Sequence, residues 1–277
     1  MQKNDPVSVT KLKKVPKTLL IPLIARCIET KKENGIIKDP KSVEILEGLD
    51  YDFSKSRLFL PLQLGVCLRT LIFDEQIKQF LKENQDAVVV NLGSGLDTRF
   101  PRIDNGNVRW FDLDLPESIE VRKRFFKETD RHRFIAKSAL DFSWIDEIPK
   151  DCKTLIVAEG LCMYFTEDEV KNLMLTIRDN FPGAQFLLEV FSPRLVKSNK
   201  NKAKSQLDRE AADFLKWGIE SGKEMENWFD GIRFDNEWFV IDKGRRHFPL
   251  YYRLSFFLVP MLARFNKVVH LRFERKQ

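Results

Sequence analysis

The chain has 277 residues, 43% hydrophobic and 32% charged, with 47 Lys and Arg against 41 Asp and Glu and a net charge of +6 at pH 7. That balance belongs to a globular protein able to bury a sizeable core, and its mild basic excess, much of it in Lys11–Lys17 and Lys197–Lys204, is not the broad stripe with stacking aromatics that grips nucleic acid. No apolar stretch reaches the ~18 residues of a membrane span, so neither nucleic acid nor a membrane is expected as a partner.

The four cysteines, at 27, 67, 152 and 162, form no C-x-x-C pair, and the three histidines are scattered. Neither a zinc site nor a disulfide framework is expected, which fits a reducing compartment. The apolar run Leu19–Ala25 imitates a signal peptide, but Pro22 interrupts it and no small-residue cleavage site follows before Arg26. The expected location is the cytoplasm.

In chain order, residues 1–17 read as a basic arm. Residues 18–80 have helical periodicity broken at Asn34-Gly35, Asp39-Pro40 and Gly48, with Ser56–Lys82 the strongest helix. From Ala87 the pattern changes to alternating strands and helices. Ala87–Leu92 is the first strand, followed by a short helix over Asp97–Ile103. Val108–Leu113 is the second, followed by a helix over Glu117–Glu128 with Pro116 at its start. His132–Ala136 and Thr154–Ala158 are the third and fourth. Thr166 and Glu169 form a capping box for a helix to Asn180, which Phe181-Pro182-Gly183 ends. Ala184–Phe191 is the fifth strand. Residues 192–231 read as a polar, helical, lid-like insertion, followed by a strand at Phe234–Ile241, an apolar helix at Leu250–Phe265 and a strand at Lys267–Phe273. The alternation predicts an α/β fold with a doubly wound, mostly parallel sheet, completed at one edge by a hairpin-like pair. The expected division is an arm and helical cap over residues 1–82 and a core over 83–277.

The most informative stretch is AVVVNLGSGLDTRFPR, residues 87–102. A buried strand runs into a Gly-Ser-Gly turn, where Gly93 and Gly95 let a ligand approach the backbone. The dinucleotide fingerprint needs a third glycine, and position 98 is Thr. A carboxylate at Asp97 would also repel a pyrophosphate. A phosphate-free cofactor carrying cationic groups, such as S-adenosylmethionine, reverses that argument. Further acids end the later strands: Asp112 and Asp114, either placed for ribose hydroxyls; Asp141, with Phe142 beside it, for an adenine; and Glu159.

LGSGLDTRFPR, RWFDLDLPESIEVRK, SALDFSW and AEGLCMYF, in that order, resemble the leucine carboxyl methyltransferase family in its bacterial tetracenomycin-type O-methyltransferase branch. The resemblance is good over about residues 55–190 and looser beyond. It implies the seven-stranded class I methyltransferase sheet and S-adenosylmethionine as cofactor. It further implies that Gly93, Ser94 and Gly95 lie under the methionyl part, that Arg69 pairs with the methionyl carboxylate and Glu159 with its ammonium, that Asp114 binds the ribose, and that Asp141 and Phe142 bind the adenine. Asp112 stands where many members have Glu, which leaves the choice between Asp112 and Asp114 open.

The expected reaction is in-line methyl transfer to a small-molecule carboxylate or phenol, in which alignment supplies much of the rate. A carboxylate needs no general base, whereas a phenol with a pKa of about 10 benefits from one. No residue stands out as a base; His132, at a strand start, reads as structural. Tyr164 and, within the insertion, Trp217 and Trp228 are candidates for contact with the acceptor. The alternatives are a protein C-terminal carboxylate as acceptor, an NAD-dependent oxidoreductase and a relative that binds without turnover. The sequence names neither the acceptor nor the oligomeric state.

Overall fold

The computed structural model describes residues 7–8, 19–50, 58–202 and 215–274. Most of the expected basic arm, the start of the Ser56–Lys82 helix and residues 203–214 of the insertion lie outside them. The central sheet has seven strands: β1 (Val88–Leu92), β2 (Arg109–Asp114), β3 (His132–Ala136), β4 (Thr154–Ala158), β5 (Gln185–Phe191), β6 (Ile232–Phe239) and β7 (Asn266–Phe273). They lie in the order β3-β2-β1-β4-β5-β7-β6. The first five are mutually parallel, and β7 runs antiparallel between β5 and β6. Every residue of β1 and β4 is buried, as expected for central strands covered on both faces.

Around the sheet lie α1 (Leu20–Lys31), α2 (Pro40–Glu47), α3 (Leu60–Glu83), α4 (Phe100–Ile103), α5 (Pro116–Arg122), α6 (Glu167–Asn180), α7 (Pro193–Lys202), α8 (Val240–Lys243) and α9 (Leu250–Leu258). Pro22 sits in the first turn of α1, where its missing N–H has no intrahelical partner to lose. Asp39 caps α2 by accepting from the Ser42 N–H. The expected capping box of α6 is present: Thr166 N–H donates to Glu169 at 2.7 Å and Glu169 N–H to Thr166 Oγ1 at 3.3 Å. α3 buries residues on most of its circumference, because α1 covers the side that the sheet does not.

Four expected elements change. The helix expected over Asp97–Ile103 is only Phe100–Ile103, because the Asp97 carboxylate accepts from the Arg99 N–H and holds the preceding residues in a turn. The helix expected to reach Glu128 ends at Arg122, where shorter turns such as Phe125 N–H to Arg122 C=O tighten the chain. The Leu250–Phe265 helix stops at Leu258. Pro260, which has no N–H to continue it, begins a separate 3-10 turn. Residues 215–220, expected as helix, are not helical. They run beside the sheet, with Lys216 N–H bonded to Met163 C=O at 2.8 Å and Ile219 N–H to Phe191 C=O at 2.9 Å.

Candidate active site

At the carboxyl ends of β1, β2 and β4 the strands open onto a cavity of about 450 Å³. This is where open α/β sheets bind ligands. The glycine loop, Gly93–Asp97, forms its floor. Leu19, Ile21, Pro22 and Arg26, at the start of α1, with Leu62, Val66 and Arg69 of α3, form the opposite wall. Beyond Glu159 lie Met163, Tyr164, Phe165 and Phe191.

The loop leaves no space for side chains at its glycines. Gly93 and Gly95 both have positive φ, at 65° and 45°. A Cβ on Gly95 would come within 2.1 Å of Leu19 Cδ2, and one on Gly93 within 2.9 Å of Leu161 Cδ1. Ser94 is 4% exposed and its Oγ has no hydrogen-bond partner among the described residues. A buried unpaired hydroxyl is costly unless a ligand completes it.

The two acids of β2 have separate roles. Asp112 is fully buried and accepts from Arg122 at 2.5 Å, Asn91 at 2.9 Å and Trp110 Nε1 at 3.0 Å, with His132 Nε2 at 2.6 Å. Burial opposes its charge, but Arg122 and His132 outweigh burial and hold its carboxyl below the usual range. Asp112 therefore binds structure together and does not line the cavity. Asp114 does line it, accepting the N–H groups of Gly95 and Leu115, each at 2.7 Å. Among the described residues no ion pair reaches it, and burial pushes its carboxyl up despite those donors.

Glu159, ending β4, is held by Arg69 Nε at 2.8 Å and by Arg99. Burial alone would raise its pKa; Arg69, Arg99 and Arg26 instead bring it down to about 2. Arg69 also grips Glu189 of β5 with Nη1, at 2.9 and 2.8 Å to the two carboxylate oxygens. Arg99, only 1% exposed, contacts Asp74, Asp97 and Glu159 together. Arg102 links Asp74 and Asp39, each at 3.1 Å, and Asp39 pairs with Arg26 at 2.8 Å. One continuous network thus joins α1, α3, the glycine loop, β4 and β5. It sets four guanidiniums, Arg26, Arg69, Arg99 and Arg102, against five carboxylates, Asp39, Asp74, Asp97, Glu159 and Glu189. Its net negative charge, together with the unpaired Asp114 nearby, favours a cationic ligand over a phosphorylated one.

Of the residues expected from sequence, Arg69, Gly93, Ser94, Gly95, Asp114, Glu159 and Tyr164 line this one cavity. Asp141 and Phe142 are not on its wall. Asp141 is exposed and caps the 3-10 turn Phe142–Glu147, while Phe142 packs against the core. Lys137, Ser138 and Ala139 line the cavity there instead. Trp217 is likewise displaced: it is 5% exposed, packed in the core with its ring 5.8 Å from that of Trp228. Sequence reasoning missed Arg26, Arg99 and Asp74; apart from the Arg99–Asp97 pair, the ion pairs Arg26–Asp39, Arg99–Asp74 and Arg99–Glu159 span 13, 25 and 60 residues and leave no local pattern.

A strand order of β3-β2-β1-β4-β5-β7-β6, with a glycine loop after β1 and acids ending β2 and β4, defines the class I methyltransferase fold. Solved structures support the fold: an S-adenosylmethionine-dependent methyltransferase from Anabaena variabilis superposes with a TM-score of 0.52 at 12% identity, covering 75% of this chain and 84% of that one. A DUF574 family protein from Streptomyces avermitilis gives 0.59 at 11%, covering 91% and 96%. Residues 20–178 match the model of the leucine carboxyl methyltransferase family. The tetracenomycin polyketide synthesis O-methyltransferase TcmP of Streptomyces glaucescens is 32% identical over 82% of this chain and 84% of its own. The S-adenosyl-L-methionine-dependent methyltransferase dpfgK of Gibberella zeae is 26% identical over 81% and 82%. This chain belongs to the leucine carboxyl methyltransferase family. It is an S-adenosylmethionine-dependent methyltransferase, and the nicotinamide alternative falls away.

Proposed function

We propose that this protein methylates an oxygen, a carboxylate or a phenolic hydroxyl, of a small-molecule acceptor. The observation that carries the reading is the cavity's division. Its acidic, hydrogen-bonding end suits the methyl donor, and its other end, Met163, Tyr164, Phe165 and Phe191, suits an apolar acceptor. The similarity to TcmP, named for polyketide O-methylation, points the same way.

When bound, S-adenosylmethionine supplies a methyl group on a cationic sulfonium. This chain's residues fit it. Arg69 and Glu159 present opposite charges to the amino-acid end, and Gly93 and Gly95 allow close approach. Ser94 Oγ is available to a polar atom, and Asp114 to ribose hydroxyls. We assign the adenine end to the wall at Lys137–Ala139 rather than to Asp141 and Phe142. Tyr164 is the side chain we assign to the acceptor. With a carboxylate acceptor, already ionised at neutral pH, positioning alone carries the reaction. The described cysteines, 27, 67, 152 and 162, are all unpaired, which supports a reducing compartment such as the cytoplasm.

The test is incubation with methyl-labelled S-adenosylmethionine and a cell extract, followed by mass analysis. Label in small molecules, lost with Asp114→Ala, is the expected result. Label in protein alone would replace this acceptor class with a C-terminal carboxylate. Cofactor binding with no label anywhere would make the chain a non-catalytic relative.

A further inference from the structure

Outside the active site, the least ordinary surface is α9 and the turn after it. The inward side of α9 is conventional: Phe256 is buried and its ring meets that of Phe248 at 5.2 Å, with Tyr252 alongside. The outward side is apolar as well. Leu250, Leu254, Phe257 and Leu258 recur at i, i+4, i+7 and i+8, a helical stripe, and Phe257 and Leu258 are 73% and 75% exposed. Val259 and Met261 continue the exposed apolar surface into the 3-10 turn. A patch of this kind marks an interaction site.

The charge beside it is basic. From Lys243 to Phe273 the chain carries seven Lys or Arg and no Asp or Glu. Lys243, Arg245, Lys267 and Arg272 pair with acids outside that stretch, and among the described residues no ion pair reaches the other three. Arg246, Arg253 and Arg264 are exposed beside the stripe. Exposed Leu and Phe flanked by unopposed arginines describe a segment that lies in a bilayer interface, apolar side chains in the acyl boundary and guanidiniums among anionic headgroups. No described helix is long and apolar enough to cross a membrane, which bears on spanning and not on lying at the surface. The patch also leads toward the cavity: Phe59, 65% exposed, stands 6.3 Å from Tyr252, and Leu62, 43% exposed, lines the cavity wall.

We propose that α9 and the turn after it dock this enzyme on an anionic lipid surface. An acceptor dissolved in or bound to that membrane would meet the enzyme at Phe59 and Leu62.

The test is cosedimentation of the full chain with vesicles of phosphatidylcholine alone and of phosphatidylcholine with phosphatidylglycerol, at low and high salt. The expected result is binding to the anionic vesicles only, weakened by salt. Arg246→Gln with Arg253→Gln should lower it about 25-fold, at about fivefold per charge. Phe257→Ser with Leu258→Ser should lower it about tenfold or more. Unchanged S-adenosylhomocysteine affinity in both variants would establish that they are folded. Absence of binding, or equal binding to both vesicle types, overturns the proposal. So does a dimer in light scattering that Phe257→Ser dissociates, which would make this face a contact between copies of the chain.

Discussion

Asp112 and Asp114 stand two residues apart on the same strand and serve different ends. Asp112 is enclosed: Arg122, His132, Asn91 and Trp110 all point at its carboxylate. Asp114 is turned to the cavity and is given two backbone N–H groups and the Ser118 hydroxyl, with no ion pair among the described residues. A carboxylate with its full set of internal partners stabilises a fold and has nothing left for a ligand. One that is buried, weakly partnered and raised in pKa retains acceptor capacity. The strand alternation that sends their neighbours to opposite faces does not separate these two, which share a face. What separates them is depth along the strand.

The contrast breaks most visibly in stability. Asp112→Ala leaves Arg122, 1% exposed, as a buried charge without its carboxylate, a loss of about 3–5 kcal/mol. Asp114→Ala frees two loop N–H groups and the Ser118 hydroxyl, none of them charged, about 1–2 kcal/mol. Urea unfolding of both variants checks this, and equal midpoints would erase the distinction. In ligand binding the order inverts. Calorimetry with S-adenosylhomocysteine should show Asp114→Ala weakened about 100-fold, the worth of two hydrogen bonds to a charged acceptor. Folded Asp112→Ala should stay close to wild type.

Much of this was legible beforehand because the signals are local. The run Val88-Val89-Val90 before a glycine turn, the Thr166–Glu169 box and the regular spacing of strand ends each read within a few residues. The site residues on that frame, Gly93, Asp114 and Glu159, follow from where strands end. Depth was not legible. The pattern WFDLD leaves either acid able to face a ligand, and only packing of Arg122 and His132 onto Asp112 decides. The arginine network was hidden for a related reason: Arg99 joins partners from α3, its own loop and β4, and no spacing encodes such a meeting. An aromatic in an apparent insertion resembles lid lining, whereas residues 215–220 hydrogen-bond to Met163 and to Phe191 at the carboxyl end of β5 and carry Trp217 inward.

Acid sharpens the comparison between Asp114 and Glu159. The Glu159 pKa is lowered to about 2 in the fold. It therefore binds its proton less readily folded than unfolded, and its contribution, present above the ordinary carboxylate range, is lost as pH falls from about 4.5 toward 2. Asp114 is raised, so its contribution is fully present below the ordinary carboxylate pKa and is lost as pH rises through the folded value. Removing the first with Glu159→Gln should flatten the acid limb of a stability–pH profile. Removing the second with Asp114→Asn should instead raise relative stability on the neutral side of its titration. The same slope in both variants would contradict the assignment of opposite shifts.

The smallest effect isolates the ligand's share of the site. Ser94 Oγ is buried without a partner among the described residues, so in the free protein it costs stability rather than adding it. Ser94→Ala removes that unpaired group and should leave stability unchanged or slightly higher. If the hydroxyl is completed by the cofactor, the same substitution should weaken S-adenosylhomocysteine binding about fivefold, the worth of one ordinary hydrogen bond. Most damaging changes in a site lower stability and affinity together, as at Glu159. Opposite signs at Ser94, read by thermal unfolding of the free protein and calorimetry of the complex, would mark a group kept for the ligand alone. A parallel loss of both would mean that the hydroxyl serves the loop, and Ser94 would join Asp112 among the residues that hold the site without touching what binds there.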